Sequence, residues 1–516
     1  MSTRAQTPTQ PHARPQTPAE PGPQDVVRRG VLRLVPDPTR VLALPFLPGQ
    51  EMAAGGISRA EAVLQRVVAL PSVVVAQTLE QTLLDFGPRH PDLRATLREH
   101  FALVAHRVPD EVTLSSVHED LIGAYVTQEY AVEGAAVCNP SVVADPDQSG
   151  VAPGELRMIL SVRGIGEGHV SSIGFRLATL HADGEVTLDP PSRTIGRGRT
   201  SAVAMPVGTL SRALTQQGDL QAAQSVLAAL PHHFTPQDLE QVLASSELDN
   251  QGRRRDGLID RIRRIAASHY RLVFPDELPL SGRVLYPASP AEARGMEDAR
   301  FTTFTGPDGT VTHYATYTAY DGASIAPQLI RTDDFRTFLV RPQTGKAATN
   351  KGMALFPRLI GGRYWALSRW DRENVSVASS ADALHWDDVV AVQKPARSWD
   401  LVQLGACASP VETADGWLVI THGVGPMRSY ALGALLLDLD DPRRVLAVLD
   451  EPLMRPEPDE RDGYVPNVVY SCGALVHGER LVLPYGCSDA SIRFASVDLA
   501  GLLARLQATA AGSVSG

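Results

Sequence analysis

The sequence predicts a mainly β protein. The expected architecture is a five-bladed β-propeller with an N-terminal α-helical region and a helical insertion between the first two blades. Three observations carry this. A strand, Gly-turn, strand unit recurs in five loosely similar copies. Apolar residues fall at helical spacing over about 57–130 and 208–270. The stretches from about 136 and after 296 instead break into short apolar runs between Gly, Asp and Pro.

The elements follow in order. Residues 1–25 hold six prolines among Gln, Thr and Ala. Such a segment buries too little apolar surface to offset its ordering entropy, so it is expected to be a disordered tail. A helical region is expected over 26–130. Ile57, Ala60, Val63, Leu64, Val67 and Val68 recur at three and four, as do Leu97, Phe101 and Val104. Ser115 or Ser116 is expected to cap a further helix carrying Leu121, Tyr125 and Tyr130. The propeller is expected over 131–505, with its insertion at about 208–270. There Leu220, Ala223, Val226 and Leu227 share a face, and Arg253–Arg255 and Arg261–Arg264 read as a solvated one. Residues 506–516, rich in small side chains, are expected to be a flexible tail.

The repeat begins at NPSVV (139) and continues at EDARFTTFTGPDGTVTHYATY (297), ALFPRLIGGRYWAL (354), SPVETADGWLVITHG (409) and PNVVYSCGALVHGERLVLPYG (466). The last four starts lie about 55 residues apart, near the period of propeller blades. In such a fold the innermost strands converge on one channel. Asn139, Glu297, Asp298, Arg300, Lys351, Ser409 and Asn467 would then meet in space, lining a polar funnel suited to a hydroxylated ligand.

Composition sets limits. The chain has 516 residues, 43% hydrophobic and 21% charged, with a net charge of −10. A general nucleic-acid binder would show a basic face, and a membrane-surface anchor a polybasic run. No stretch reaches the ~18–20 apolar residues that span a bilayer. No apolar secretory leader is apparent, so the expected compartment is the cytoplasm. Cys138, Cys407, Cys472 and Cys487 lack metal-site or redox spacing and read as buried small hydrophobes. Phosphate-loop, HExxH and G-x-S-x-G motifs do not occur.

Several segments bear chemistry. GMEDARF (295–301) concentrates Glu297, Asp298 and Arg300 at a strand head. Regular alternation puts Asp298 and Arg300 on one face and Glu297 on the other, with Arg300 holding Asp298 ionised. A structural ion pair is the plain alternative. YATYTAYDG (314–322) ends a Tyr- and Thr-rich strand at Asp321. A partly desolvated carboxyl there would have a raised pKa, as a general acid needs; an ordinary Asp-Gly turn is the alternative. SVRGIGEGHV (161–170) sets Arg163, Glu167 and His169 among glycines. LSRWDREN (367–374) supplies Arg369, Asp371 and Glu373, THGVG supplies His422, and PYGCSD ends at Asp489.

Together NPSVV, GMEDARF, YATYTAYDG, KGMALFPRLIGGRYWALSRWD, THGVG, LLLDLDDPRRVL, GYVPNVVYSCG and LPYGCSDASI resemble glycoside hydrolase family 130, the β-mannoside phosphorylases and β-mannosidases. The resemblance covers about 136–200 and 296–500 and implies the same five-bladed fold. It implies an inverting reaction in which a carboxylic acid protonates the leaving oxygen, in some members through a mannose hydroxyl. Phosphate or water attacks the opposite face. Asp321 matches the family's acid, and Asp298 is set beside it as a catalytic carboxylate. Arg300, Lys351 and Arg163 are assigned to phosphate, the co-substrate. Asn139, Glu167, His169, Arg369, Asp371, His422, Asn467 and Asp489 are assigned to the sugar. Ser368 stands near a His that one phosphorylase branch carries; its absence suits hydrolysis, with Asp371 or Glu373 as base. The expected activity is release of mannose 1-phosphate from β-mannosyl oligosaccharides. The alternatives are a β-mannosidase and a non-catalytic glycan-binding propeller. No metal or other cofactor and no macromolecular partner are expected, and a homo-oligomer is left open.

Overall fold

The computed structural model describes residues 26–47, 49, 58–109, 111–245 and 252–514, without the side chains of 252–255 and 511–514. The expected disordered tail, 1–25, lies outside them, as do Ile57 and the side chains of Arg253–Arg255.

The protein is mainly β. Its principal strands fall into five antiparallel groups of four, in chain order. The first runs Ala136–Ala144, Leu156–Ile165, Ser171–Leu180 and Val186–Leu188. The second runs Gly295–Thr305, Val311–Tyr320, Ile325–Thr332 and Thr337–Pro342. The third runs Ala354–Leu355, Tyr364–Ser368, Val375–Ser380 and Asp388–Gln393. The fourth runs Gln403–Ala406, Gly416–Val424, Tyr430–Leu437 and Val445–Val448. The fifth runs Val469–Tyr470, Arg480–Cys487 and Ser491–Asp498, and its outer strand is Val27–Leu34 from the other end of the chain. Among the described residues no single sheet closes on itself.

The core lies between groups. Phe175 and Ile173 of the first meet Phe301 and Ala315 of the second. Leu329 of the second meets Leu355 and Ala378 of the third. Leu367 and Val377 meet Trp417 and Leu435 of the fourth. Leu418 and Leu432 meet Leu481 and Val497 of the fifth. Leu160 and Val162 of the first meet Val482 and Phe494 of the fifth, so the packing is cyclic. Inner strands are therefore buried on both faces. Gly416–Val424 and Arg480–Cys487 accordingly read as near-continuous apolar runs rather than alternating ones.

Helices occupy narrower spans than expected. Four lie between Arg59 and Tyr125: α1 (Arg59–Val68), α2 (Ser72–Phe86), α3 (Leu93–Val104) and α4 (Ser116–Tyr125). Ser58 and Glu61 form a capping box at α1, and Ser115 caps α4. The span from 26, expected to be helical, opens instead with the strands Val27–Leu34 and Val41–Pro45. Tyr130 is not on α4 but on the strand Thr127–Ala131, which pairs with Val41–Pro45. The insertion holds α5 (Val207–Gln217), α6 (Gln224–Ala229), α7 (Pro236–Ser245) and α8 (Gly252–Ala267) around their own apolar core. The expected flexible tail from 506 is the second half of α9 (Leu499–Val514). Ala and Leu favour helix there, and Leu502 and Leu506 are buried against the fifth group.

Candidate active site

The inner strands meet at a cavity of about 250 Å³, lined by residues from all five groups. Asn139 and Arg163 come from the first group, Asp298 from the second, and Arg369 and the preceding Lys351 loop from the third. The fourth supplies Gln403, His422 and Tyr430, with Arg428 on the connecting turn; the fifth supplies Tyr470 and Asp489.

Local backbone strain aims several of these side chains. Asn139, Asp298 and Asp489 have φ of 48°, 56° and 50°, left-handed values that Asn and Asp tolerate better than most residues. At Asn139 and Asp298 the strand register slips. The slip at Asp298 overturns the expected alternation. Glu297 and Asp298 both reach Arg163, at 2.6 and 3.2 Å, and Lys351 binds the other oxygen of Glu297. Arg300 turns inward instead. It is fully buried, donating to the carbonyls of Cys407 (2.8 Å) and Asp298 (2.9 Å) and to the Tyr470 hydroxyl (2.8 Å). Expected as a phosphate ligand, Arg300 lies beneath the cavity wall and braces it.

His422 lies against Arg369, whose Nη1 stands 3.1 Å from His422 Nε2. Burial, then the charges of Arg369 and Arg300, push the imidazole well below its ordinary pKa, so it is neutral and can accept from Arg369. Gly405 is needed beside this pair: a Cβ there would stand 2.6 Å from His422 Cε1 and 3.1 Å from Arg369 Cδ.

The two carboxyls facing the cavity are driven apart. Burial works to raise Asp298, but Arg163, Arg300, Lys351 and Arg369 outweigh it and hold Asp298 below the usual carboxylate range. Asp489 is pushed up to about 6 by burial first, against the opposing pull of Arg163 and Arg428 and with the help of Asp298. Three buried polar atoms around the cavity have no protein partner: Asn139 Oδ1, Arg163 Nε and Arg369 Nε. Buried polar groups are normally paired, so these are places for a ligand or water.

Other expected site residues lie elsewhere. Asp321 faces an adjoining cavity. It accepts from the backbone N–H groups of Ala323 (2.8 Å) and Ser324 (2.7 Å) and pairs with Arg264 of α8 at 2.8 Å. Burial would raise its pKa, but these N–H groups and Arg264 lower it, opposite to the direction expected of a poised acid. Arg264 is exposed, as the arginine-rich run suggested, but it also pairs with a carboxylate of the second group. Asp371 spends both oxygens on its own turn, bonding Glu373 N, Asn374 N and Asn374 Nδ2. It does not line the cavity, and Glu373 is exposed. Glu167 is exposed, and His169 bonds the Tyr464 hydroxyl at 2.7 Å. Asn467 and Ser409 miss the lining, while Ser368 is buried and donates to the Ala347 carbonyl at 2.8 Å. All four cysteines are free and buried. Among the described residues no group of three or more His, Cys, Asp or Glu is placed to hold a metal.

Arg428, Gln403, Tyr430 and Tyr470 were not singled out from sequence. Arg428 carried a signal: HGVGPMR repeats the RGIGEGH of the first group, and both turns contain left-handed residues, Gly168 and His169 in one, Met427 and Arg428 in the other.

The profile of glycoside hydrolase family 130, described as beta-1,4-mannooligosaccharide phosphorylase, matches residues 280–507. A 1,2-beta-oligomannan phosphorylase from Thermoanaerobacter sp. (strain X514) is 33% identical over 219 residues, which are 40% of this chain and 70% of that protein. A beta-1,2-mannobiose phosphorylase from the same organism is also 33% identical, over 42% of this chain and 70% of its own length. Among solved structures, the beta-1,2-mannobiose phosphorylase from Listeria innocua with beta-1,2-mannobiose aligns with a TM-score of 0.43 at 23% identity, over 73% of this chain and 93% of that one. The matched span of the family profile takes in GMEDAR, the Lys351 loop and the Asp489 turn, and the chain covers 70% of the length of both Thermoanaerobacter relatives; the chain belongs to glycoside hydrolase family 130.

Proposed function

We propose that the protein is an inverting β-mannoside phosphorylase that releases α-mannose 1-phosphate from β-mannosyl oligosaccharides, on a five-bladed propeller and in the cytoplasm. The charge of the cavity carries the reading. Arg163, Lys351, Arg369 and Arg428 face Asp298 and Asp489, the latter pushed up to about 6, and Glu297 beside the cavity pairs with Arg163 and Lys351, so that four cations meet three carboxyls. A cation excess of this kind suits a phosphate dianion beside a neutral sugar. The relatives' names agree with it.

In this reading Lys351, Arg369 and Arg428 hold phosphate, while Asn139, His422 and Asp489 hold the mannosyl hydroxyls. A phosphate oxygen attacks the anomeric carbon, and the glycosidic C–O bond breaks on the opposite side. The electron pair leaves with the aglycone oxygen, which takes a proton from the acid. Asp321 is assigned as that acid, in keeping with the family resemblance. Substrate must then displace Arg264 from it, because the present pairing favours the ionised form. Asp489, pushed up to about 6, keeps its proton to higher pH than Asp321 and is the alternative donor. Asp321→Asn should abolish turnover while Asp489→Asn mainly raises KM; the reverse pattern would transfer the acid's role to Asp489.

Phosphorolysis is favoured over hydrolysis by the location of Asp371 and Glu373 away from the cavity lining. The deciding experiment is product analysis on β-1,2- and β-1,4-linked mannobioses with and without inorganic phosphate. Mannose 1-phosphate appearing only with phosphate is expected. Free mannose at equal rates in both reactions would make the protein a hydrolase.

A further inference from the structure

A second, larger cavity of about 820 Å³ lies between the helical insertion, the second strand group and the segment that leads to the third. Asp321 forms part of its wall. Behind Asp321, the Tyr320 ring centroid stands 5.8 Å from Lys351 Nζ, which lines the central cavity, so the two cavities are neighbours. The far wall is α5 and α8, through Gln216, Gln217, Arg261 and Arg264.

The charges here are already matched. Arg261 holds Asp219 through two bonds of 2.6 and 2.9 Å, and Arg264 holds Asp321. What is unmatched is neutral. Gln328 and Gln343 are 2% and 5% exposed, line this cavity, and have side-chain carbonyl oxygens without a partner. Each is an acceptor in want of an O–H or N–H donor. The rest of the lining is mixed: Ile265, Ile325 and Pro327 are apolar, and Ser268, Ser324 and Thr349 add hydroxyls. Unpartnered acceptors beside hydroxyl and apolar surface match the hydroxyl edges and C–H faces of a sugar chain.

We infer that this cavity binds the neutral leaving part of the oligosaccharide beyond the cleaved bond, with Gln328 and Gln343 accepting from its hydroxyls and the insertion forming the wall that selects for chain length. The inference rests on the mannoside reading above, which supplies the chemistry of the chain.

The test compares kcat/KM for β-mannosides of two and four units, in phosphate, for wild type, Gln328→Leu and Gln217→Trp. Gln217 is exposed on the cavity wall, so its indole would fill space without entering a core. The quantity read is the ratio of the four-unit to the two-unit value. It should be about tenfold in wild type, a differential affinity near 1.4 kcal/mol, and should fall toward one in both variants with melting temperatures unchanged. A wild-type ratio near one, or a ratio that both variants retain, overturns the inference. Calorimetric titration of the four-unit chain without phosphate separates the two readings. If no substrate is cleaved but Gln217→Trp weakens this binding several-fold, the phosphorylase reading falls and the cavity stands. If binding is absent, or equal in both proteins, the cavity assignment falls.

Discussion

At the scale of single residues, the informative contrast is between two aspartates on strand-end turns. Sequence pattern placed the raised carboxyl at Asp321, but the structure gives that property to Asp489. The difference comes from neighbours remote in sequence: Arg264 enters from the insertion and reaches Asp321 across 57 positions. Removing that cation must raise the Asp321 pKa. If Asp321 is the acid, Arg264→Ala keeps it protonated to higher pH, and the alkaline limb of the kcat/KM profile should move upward. An unmoved limb would separate Asp321 from the proton transfer. Asp489 gives a stability prediction with the opposite sign to the usual carboxylate. Its folded pKa of about 6 lies above the unfolded value of about 3.9, so the native state binds the extra proton between them. Stability is therefore lost as pH rises from about 4 to 6, by roughly 2 kcal/mol. Asp489→Asn should raise the melting temperature at pH 8 and leave it nearly unchanged at pH 4. Equal shifts at both pH values would refute this.

At the scale of elements, periodicity revealed what is local. The helices between Arg59 and Tyr125 and those of the insertion follow from spacing at three and four, and the Ser115 cap from its position before α4. Strand heads in the second, third and fifth groups follow from the repeat, whereas the fourth copy, from Ser409, begins after that group's first strand, Gln403–Ala406. What was not legible depends on distant partners. Nothing within Val27–Leu34 reveals that it pairs with Ser491–Asp498, and a residue in the middle of it, Val31, is exposed. The bulge that turns Asp298 toward Arg163 is equally invisible to simple alternation. Deleting residues 26–35 would leave the edge of Ser491–Asp498 unpaired and uncover Val497. Such an edge templates aggregation. The truncated protein is expected to melt at lower temperature and to form concentration-dependent aggregates on light scattering; an unchanged melt would show that this strand adds little.

At the scale of the whole molecule, charge is distributed against its average. The chain carries −10 overall, yet its central cavity gathers four cations around Asp298, Asp489 and the neighbouring Glu297. Composition could exclude a general nucleic-acid binder but could not reveal this pocket of opposite sign, because Arg163, Lys351, Arg369 and Arg428 are brought together only by the cyclic packing of the five groups. Phosphate should therefore stabilise the folded protein. At a hundred times its dissociation constant, a ligand that binds only the native state adds about 2.7 kcal/mol. A melting temperature that climbs with phosphate, and a smaller rise in Lys351→Ala, are expected. No rise at any concentration would mean that these cations do not form an anion site.

The strand Val27–Leu34 has a further consequence, for the order of events during synthesis. Arg33 bonds Ser491 across 458 positions. Val27–Leu34, the first of the described strands, must therefore wait for Ser491–Asp498 before either has a complete set of partners. The fifth group cannot be assembled until that late strand has been made, whatever the earlier groups have already achieved. Pairing over so long a separation is slow, since the loop must be closed before any contact repays it. Folding should end with a late latching step, and until that latch closes the nascent protein presents an open seam that its cell has to guard.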